Sequence, residues 1–111
     1  MSETENIQAH IADLKEVVER RDLALKLEKN PDFVKLILDG FCEKECARFA
    51  RNSGDPAIPK DQREDSLAMA QAAGHLRRYL SFCVRIGNQA ENEIKQAEET
   101  LDELRSEGKG E

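Results

Sequence analysis

The stretch MAQAAGHLRRYLSFCVRIGNQAENEIKQAEETLDEL, residues 69–104, decides the fold. Its small and apolar residues recur at alternating spacings of four and three, the seven-residue repeat of helices that pack along a seam. The repeat continues through Gly87-Asn88, so we predict one helix over residues 60–106, about 70 Å long at 1.5 Å per residue. We call its members the seam of the long helix: Met69, Ala73, Leu76, Leu80, Cys83, Gly87, Ala90, Ile94, Ala97, Leu101 and Leu104.

The two halves of this helix differ beside the seam. Between residues 67 and 86 the flanking positions are also apolar, which predicts two or more packing neighbours. Between residues 90 and 104 the flanks are mostly charged, which suits a single partner helix. The apolar flanking residues are Leu67, Ala70, Ala72, Tyr79, Val84 and Ile86.

A first helix is predicted over residues 4–29. Ser2 and Glu5 stand at the spacing of a capping box at its start. Arg21 occupies the one position that interrupts the apolar repeat of this helix. That repeat, the seam of the first helix, consists of Ile7, Ile11, Leu14, Val18 and Leu25.

A second helix is predicted over residues 31–52, followed by a loop at 52–59 that contains one Gly and two Pro. Asn30 is a good N-cap, and Pro31 suits the first helical position. Gly40 in mid-helix predicts a close approach of another helix. With α-helical periodicity the apolar face holds Phe33, Leu36, Ile37, Gly40, Phe41 and Ala47, widened by Val34, Leu38, Cys42, Cys46 and Phe49.

These elements predict a single all-α domain, residues 1–111. Residues 1–29 and 88–108 would form an antiparallel, coiled-coil-like stalk, with residues 30–87 as a small helical head. Setting Leu25 opposite Gly87 would bring Arg21 near Glu91. The same seam would equally suit a second copy of the chain, so both interpretations stay open.

Composition and charge narrow the classes of function. The chain has 111 residues and a formal net charge of −6, which argues against a nucleic-acid binder. No apolar run reaches the ~20 residues of a membrane span, and the N-terminus does not read as a secretion signal. We therefore expect a cytoplasmic protein that does not enter membranes. Residues 88–111 alone carry net −5, typical of a solvated face or of a surface that docks to a basic partner.

Chemistry-bearing residues are sparse. The two histidines, His10 and His75, have no sequence-local partner in a triad or metal spacing. We predict no catalytic, cofactor-binding or metal residues and no cofactor. Cys42, Cys46 and Cys83 read as free, buried thiols, with a metal site as the weaker alternative.

Five arginines form a candidate patch. Salt bridges to nearby glutamates and aspartates are one interpretation, and a site for an anion or an acidic partner is the other. The residues are Arg48, Arg51, Arg77, Arg78 and Arg85.

Two loose motifs give a family resemblance. Residues 30–41 contain a "DF…ILxGF" pattern, and residues 74–80 contain "G-x-L-R-x-Y-L", followed by Gly87 and the acidic repeat. Over residues 10–106 the chain resembles a group of small helical proteins of tailed bacteriophages. The resemblance implies a phage origin and a place in the particle or in its assembly. It carries over no site residues.

Two functions from different classes follow as hypotheses. The first is a non-enzymatic phage structural or assembly protein that binds a phage protein partner, or further copies of itself, through its helix faces. The second is a small acidic inhibitor or adaptor that binds a host protein. The location would be the host cytoplasm or the virion. A nucleotide or nucleic-acid binder that uses the arginines is a weaker third reading, since the charge opposes it.

Overall fold

A computed structural model describes residues 2–107, and this part of the chain forms three helices and no strand. Helix α1 spans Glu3–Lys29, helix α2 covers residues 31–53, and helix α3 spans Lys60–Ser106. The all-α prediction is confirmed, with helix bounds within one residue of those expected. Residues 1 and 108–111 lie outside the described residues. The predicted domain included all of them, and the predicted stalk included residues 1 and 108.

Side-chain caps fix where two of the helices start. Ser2 Oγ accepts a hydrogen bond from the Glu5 N–H at 3.1 Å, which is the expected N-terminal capping contact of α1. Asn30 Oδ1 accepts from the N–H groups of Asp32 and Phe33 at 2.9 and 3.1 Å, so it caps α2 as predicted. Both caps satisfy backbone donors that have no partner inside the helix.

The described chain divides into two compact units. The two-helix unit contains residues 2–24 and 82–107, and the central unit contains residues 25–81. The sequence had placed this division after residues 29 and 87. Helix α3 contributes its first half to the central unit and its second half to the two-helix unit.

In the two-helix unit α1 and α3 run antiparallel. Ile7, near the start of α1, shares a groove with Thr100, whereas Arg21 lies against Gly87. Six of the seven buried residues of this unit within the described range are seam residues, namely Ile11, Leu14, Cys83, Gly87, Ala90 and Leu101, and the seventh is Ala24. The seam residues Ile7, Val18, Ile94, Ala97 and Leu104 are half-buried. The seam is therefore filled within one chain in this unit.

The end of the first seam differs from the prediction. Leu25 is exposed, and Ala24 is buried. Arg21 lies directly against Gly87, the position at which the prediction had set Leu25. The reason is steric, because the missing side chain at Gly87 leaves room for the Arg21 stem, and the charged tip then reaches solvent-facing groups.

Most of α2, in the central unit, is a π-helix. The segment Val34–Glu45 has π winding, between α-helical turns at Pro31–Phe33 and Cys46–Ser53. A π-helix closes its hydrogen bonds five residues apart, so it turns less per residue than an α-helix. The sequence analysis had assumed α winding throughout this helix.

The spacing of apolar residues explains the π winding. Apolar pairs recur every four residues at 33–34, 37–38 and 41–42, before Cys46. Over the stretch from Phe33 to Cys46, an α-helix turning about 100° per residue would place these two residues on nearly opposite sides. The slower turn of the π-helix keeps the pairs on one side, and all of these residues are buried or half-buried.

Three expectations that rested on α winding or on the long repeat are wrong. Leu36 is 72% exposed, and Ala47 is exposed, because the π winding turns the predicted face away from the interior. A Cβ atom at Gly40 would meet only the backbone carbonyl of Lys35, so no other helix approaches closely there. Met69, the first member of the long-helix seam, is 37% exposed.

Candidate interaction surfaces

In the two-helix unit, Arg21 is hydrogen-bonded to three polar side chains, those of Asp22, Asn88 and Glu91. The Arg21 side chain is only 12% exposed. Its Nη1 donates to Glu91 Oε2 at 2.5 Å and to Asn88 Oδ1 at 3.0 Å, and its Nε donates to Asp22 Oδ1 at 3.1 Å. The side-chain hydrogen bonds to Glu91 and Asp22 raise the pKa of Arg21 above its ordinary value. The predicted proximity of Arg21 and Glu91 is confirmed, and it lies within one chain.

Glycine makes this arrangement possible. A Cβ atom at Gly87 would overlap the Cβ of Arg21 and would lie 2.8 Å from its Cγ. The arginine stem therefore lies directly over the α3 backbone, and the two helices approach each other closely at Gly87. The Arg21 site is a structural contact between two helices.

The candidate arginine patch is divided between the two units. Arg48, Arg51, Arg77 and Arg78 belong to the central unit and Arg85 to the two-helix unit. Arg48 pairs with Glu45 at 2.5 Å and stacks over Phe49, and Arg77 lies 3.6 Å from Glu43. Arg85 stacks over Phe82 with 5.4 Å to the ring centroid. Two of the five thus already have carboxylate partners, as the salt-bridge interpretation expected.

The cysteines lie at helix contacts. Cys42 Sγ donates to the Ala73 carbonyl at 3.8 Å, and Cys46 Sγ donates to the Ala70 carbonyl at 3.6 Å. Both thiols therefore face α3 inside the central unit. Burial raises the pKa of the Cys42 thiol. Cys83 is buried in the two-helix unit, and all three thiols are free.

Neither histidine is part of a chemical cluster. His10 and His75 are both exposed, and His10 lines the groove that contains Ile7 and Thr100. Within residues 2–107, no three His, Cys, Asp or Glu side chains are grouped so that they could hold a metal ion. None of the helices in this range is long and apolar enough to cross a lipid bilayer.

An exposed apolar stripe lies on α3 in the central unit. Met69, Ala72, Leu76 and Tyr79 follow one another at spacings of three, four and three, so they share one helix face. Met69, Ala72 and Tyr79 are exposed, and Leu76 is half-buried. Helix α2 covers the neighbouring face, where the Ala70 and Ala73 carbonyls accept from its thiols. We call these four residues the α3 stripe.

The α3 stripe agrees with a signal in the sequence. The apolar flanks between residues 67 and 86 predicted two or more neighbours for this half of the helix. The sequence analysis did not separate covered from uncovered flanks, because that depends on which side α2 occupies. Six of the eight strongly exposed large apolar side chains among residues 2–107 lie in the central unit: Leu25, Leu27, Leu36, Leu67, Met69 and Tyr79.

Comparisons with protein-family models, with curated proteins and with solved structures found no match.

Proposed function

We propose that this chain is a non-enzymatic bacteriophage structural or assembly protein that acts through protein–protein contacts of its helix faces. The observation that supports this best is the α3 stripe. A row of apolar side chains at helical spacing that faces solvent is typical of a surface that a partner helix covers. The resemblance to phage proteins suggests the source of the partner, namely a capsid, portal or tail protein in the host cytoplasm or in the virion.

The residue chemistry supports a binding role over an enzymatic one. The ordered polar group at Arg21 joins two helices, and its arginine is largely covered by them. Both histidines are exposed side chains with no shared cluster of acids or thiols in the described range. Among residues 2–107, the exposed helix faces are the features that would suit a protein partner.

Capture from a lysate of phage-infected bacteria tests the proposal. We expect the tagged full chain to recover phage structural proteins identified by mass spectrometry, and to retain them at moderate salt because the contact is apolar. Ala72→Arg should abolish the recovery, since it places a charge in the middle of the α3 stripe. Ala50→Arg is the matched control, because Ala50 is also exposed and helical in the central unit. Failure to recover any phage structural protein would overturn the proposal.

A second candidate function has its own supporting observation. The second half of α3 presents exposed acids, among them Glu93, Glu98, Glu99 and Glu103. Such a surface would suit a small inhibitor or adaptor that binds a basic face of a host protein. Recovery of one host protein that is lost as the salt concentration rises would favour this function, and Ala72→Arg should then leave the recovery unchanged.

A further inference from the structure

One side of α2 carries a row of four residues, exposed except for the half-buried Gly40, that the proposed function does not use. Asp32, Leu36, Gly40 and Lys44 follow at a constant spacing of four. Because a π-helix needs more than four residues for a turn, residues four apart lie nearly above one another along it. The row therefore runs along one face of α2, about three turns in length.

The middle of this row combines a projection with a notch. Leu36, at 72%, is the most exposed of the large apolar side chains among residues 2–107. A Cβ atom at Gly40 would meet only the carbonyl oxygen and carbon of Lys35, at 3.0 and 4.0 Å. No side chain beyond its two chain neighbours lies within 4 Å of the missing Cβ, so Gly40 leaves a shallow notch, floored by the Lys35 carbonyl, one turn away from Leu36.

The ends of the row carry opposite charges. Asp32 and Lys44 are both exposed, and no ion pair found within residues 2–107 includes either of them. Asp32 lies six residues before the midpoint at position 38, and Lys44 lies six residues after it. Leu36 and Gly40 lie two residues on either side of the same point.

We propose that this row is a self-association surface, on which a second copy of the chain docks its own α2 in antiparallel orientation. The two-fold axis would pass beside residue 38. Leu36 would then enter the notch at Gly40 of the partner subunit, and Asp32 would face Lys44 of the partner subunit. Each contact occurs twice, as an isologous interface requires.

The order of the residues favours a second copy over an unrelated partner. An unrelated helix would have to supply a base, a notch, an apolar projection and an acid in the matching order, whereas this chain already has that order when reversed. Packing of one projection into one notch over about three turns is small, so a weak, concentration-dependent dimer is expected. The row lies on α2 and the α3 stripe on another helix, so the two surfaces are tested separately.

Sedimentation velocity of the purified full chain over a range of concentrations is the first test. We expect a monomer–dimer equilibrium with a dissociation constant on the order of 10–100 μM. Leu36→Asp should weaken it at least about tenfold, because it places an acid in the notch of the partner. Leu23→Asp is the matched control, since Leu23 is also strongly exposed but lies in the two-helix unit.

A charge exchange tests the geometry. Asp32→Lys leaves a base at both ends of the row, and Lys44→Asp leaves an acid at both ends. Each variant alone should be monomeric because like charges would face each other, whereas an equimolar mixture should form heterodimers with restored affinity. Restoration in the mixture also shows that both variants are folded.

Two results would overturn the inference. One is a wild-type chain that stays monomeric up to about 500 μM, well above the dissociation constants expected for weak interfaces. The other is a dimer that Leu36→Asp leaves intact, or whose single charge variants dimerise as well as their mixture. Both experiments use the purified chain alone, so their failure leaves the phage-lysate capture to judge the proposed function.

Discussion

The two-helix unit and the central unit bury their apolar side chains in different ways. The two-helix unit buries a regular seven-residue repeat along two antiparallel α-helices. Arg21, the one arginine in this repeat, donates hydrogen bonds to Glu91 and Asn88. The central unit packs α3 against a π-helix and leaves most of the exposed large apolar side chains of the described chain. The regular repeat thus covers most large apolar side chains of the two-helix unit, whereas the irregular winding of α2 goes with more exposed ones in the central unit.

The largest expected effect comes from Gly87→Ala in the two-helix unit. Its Cβ would overlap Arg21, and the two helices would have to separate, so we expect a loss of about 1–3 kcal/mol in the free energy of unfolding. Gly74→Ala is the matched control in the central unit, because a Cβ there has nothing within 4 Å. It should gain up to about 1 kcal/mol from helix propensity. Equal changes in the denaturant midpoints of the two variants would contradict the close approach at Gly87.

A smaller effect is expected from Arg21→Leu. This change removes the hydrogen bonds to Glu91 and Asn88 from a side chain that is mostly covered, so the denaturation midpoint should fall. The oligomeric state should stay unchanged, because the pairing lies within one chain.

Arg48→Leu serves as the comparison for Arg21→Leu. Arg48 pairs with Glu45, but its side chain is 51% exposed. Exposed ion pairs contribute about 0–1 kcal/mol, so the midpoint should change less than for Arg21→Leu. A larger loss at Arg48, or a shift in oligomeric state for Arg21→Leu alone, would contradict the assigned role of Arg21.

A third prediction concerns the π-helix of the central unit. In Gly40→Ala the new methyl group would lie 3.0 Å from the Lys35 carbonyl oxygen. This close contact should cancel the helix-propensity gain of about 1 kcal/mol that Gly74→Ala obtains. Chemical denaturation of the two variants measures the difference. If both are stabilised equally, residue 40 does not have π geometry in solution.

The smallest effect is a pH dependence. Burial raises the pKa of the Cys42 thiol in the folded chain, while the unfolded thiol releases its proton near its ordinary pKa of about 8.5. Below that pH the neutral thiol makes its full contribution to the free energy of unfolding. This contribution is lost as the pH rises toward the raised pKa. The stability difference between wild type and Cys42→Ala should therefore shrink above about pH 8.5. A pH slope of stability that is the same in the wild type and in Cys42→Ala would contradict the raised pKa of this thiol.

The sequence predicted the regular parts of the fold well. The alternation of four and three in α3 is a long-range pattern with one simple structural solution, so residues such as Ala90 and Leu101 were placed inside correctly. The caps at Ser2 and Asn30 depend on local hydrogen bonds that the sequence shows directly. The contact of Arg21 with Glu91 followed from placing the two repeats antiparallel.

The errors came from assuming α-helical winding in α2 and from contacts between distant residues, which a sequence repeat does not specify. Assuming 3.6 residues per turn in α2 placed Leu36 inside, although the four-residue recurrence of apolar pairs was visible in the sequence. The placement of Arg21 at Gly87 depended on how the arginine stem fits where Gly87 lacks a side chain, a steric match between residues far apart in the sequence. The uncovered side of α3 depended on where α2 packs, which periodicity alone does not give.

The fit of Arg21 over Gly87 has a consequence for how this protein can change over generations. A larger residue at position 87 fits without parting the backbones only if position 21 becomes glycine, because the overlap at Gly87 is with the Arg21 Cβ itself. The two positions should therefore covary across descendants of this chain, with Arg–Gly and Gly–Ala pairs permitted and Arg–Ala pairs selected against. A lineage that loses the glycine first would have to pass through a less stable intermediate, which makes this pair an evolutionary constraint on the two-helix unit.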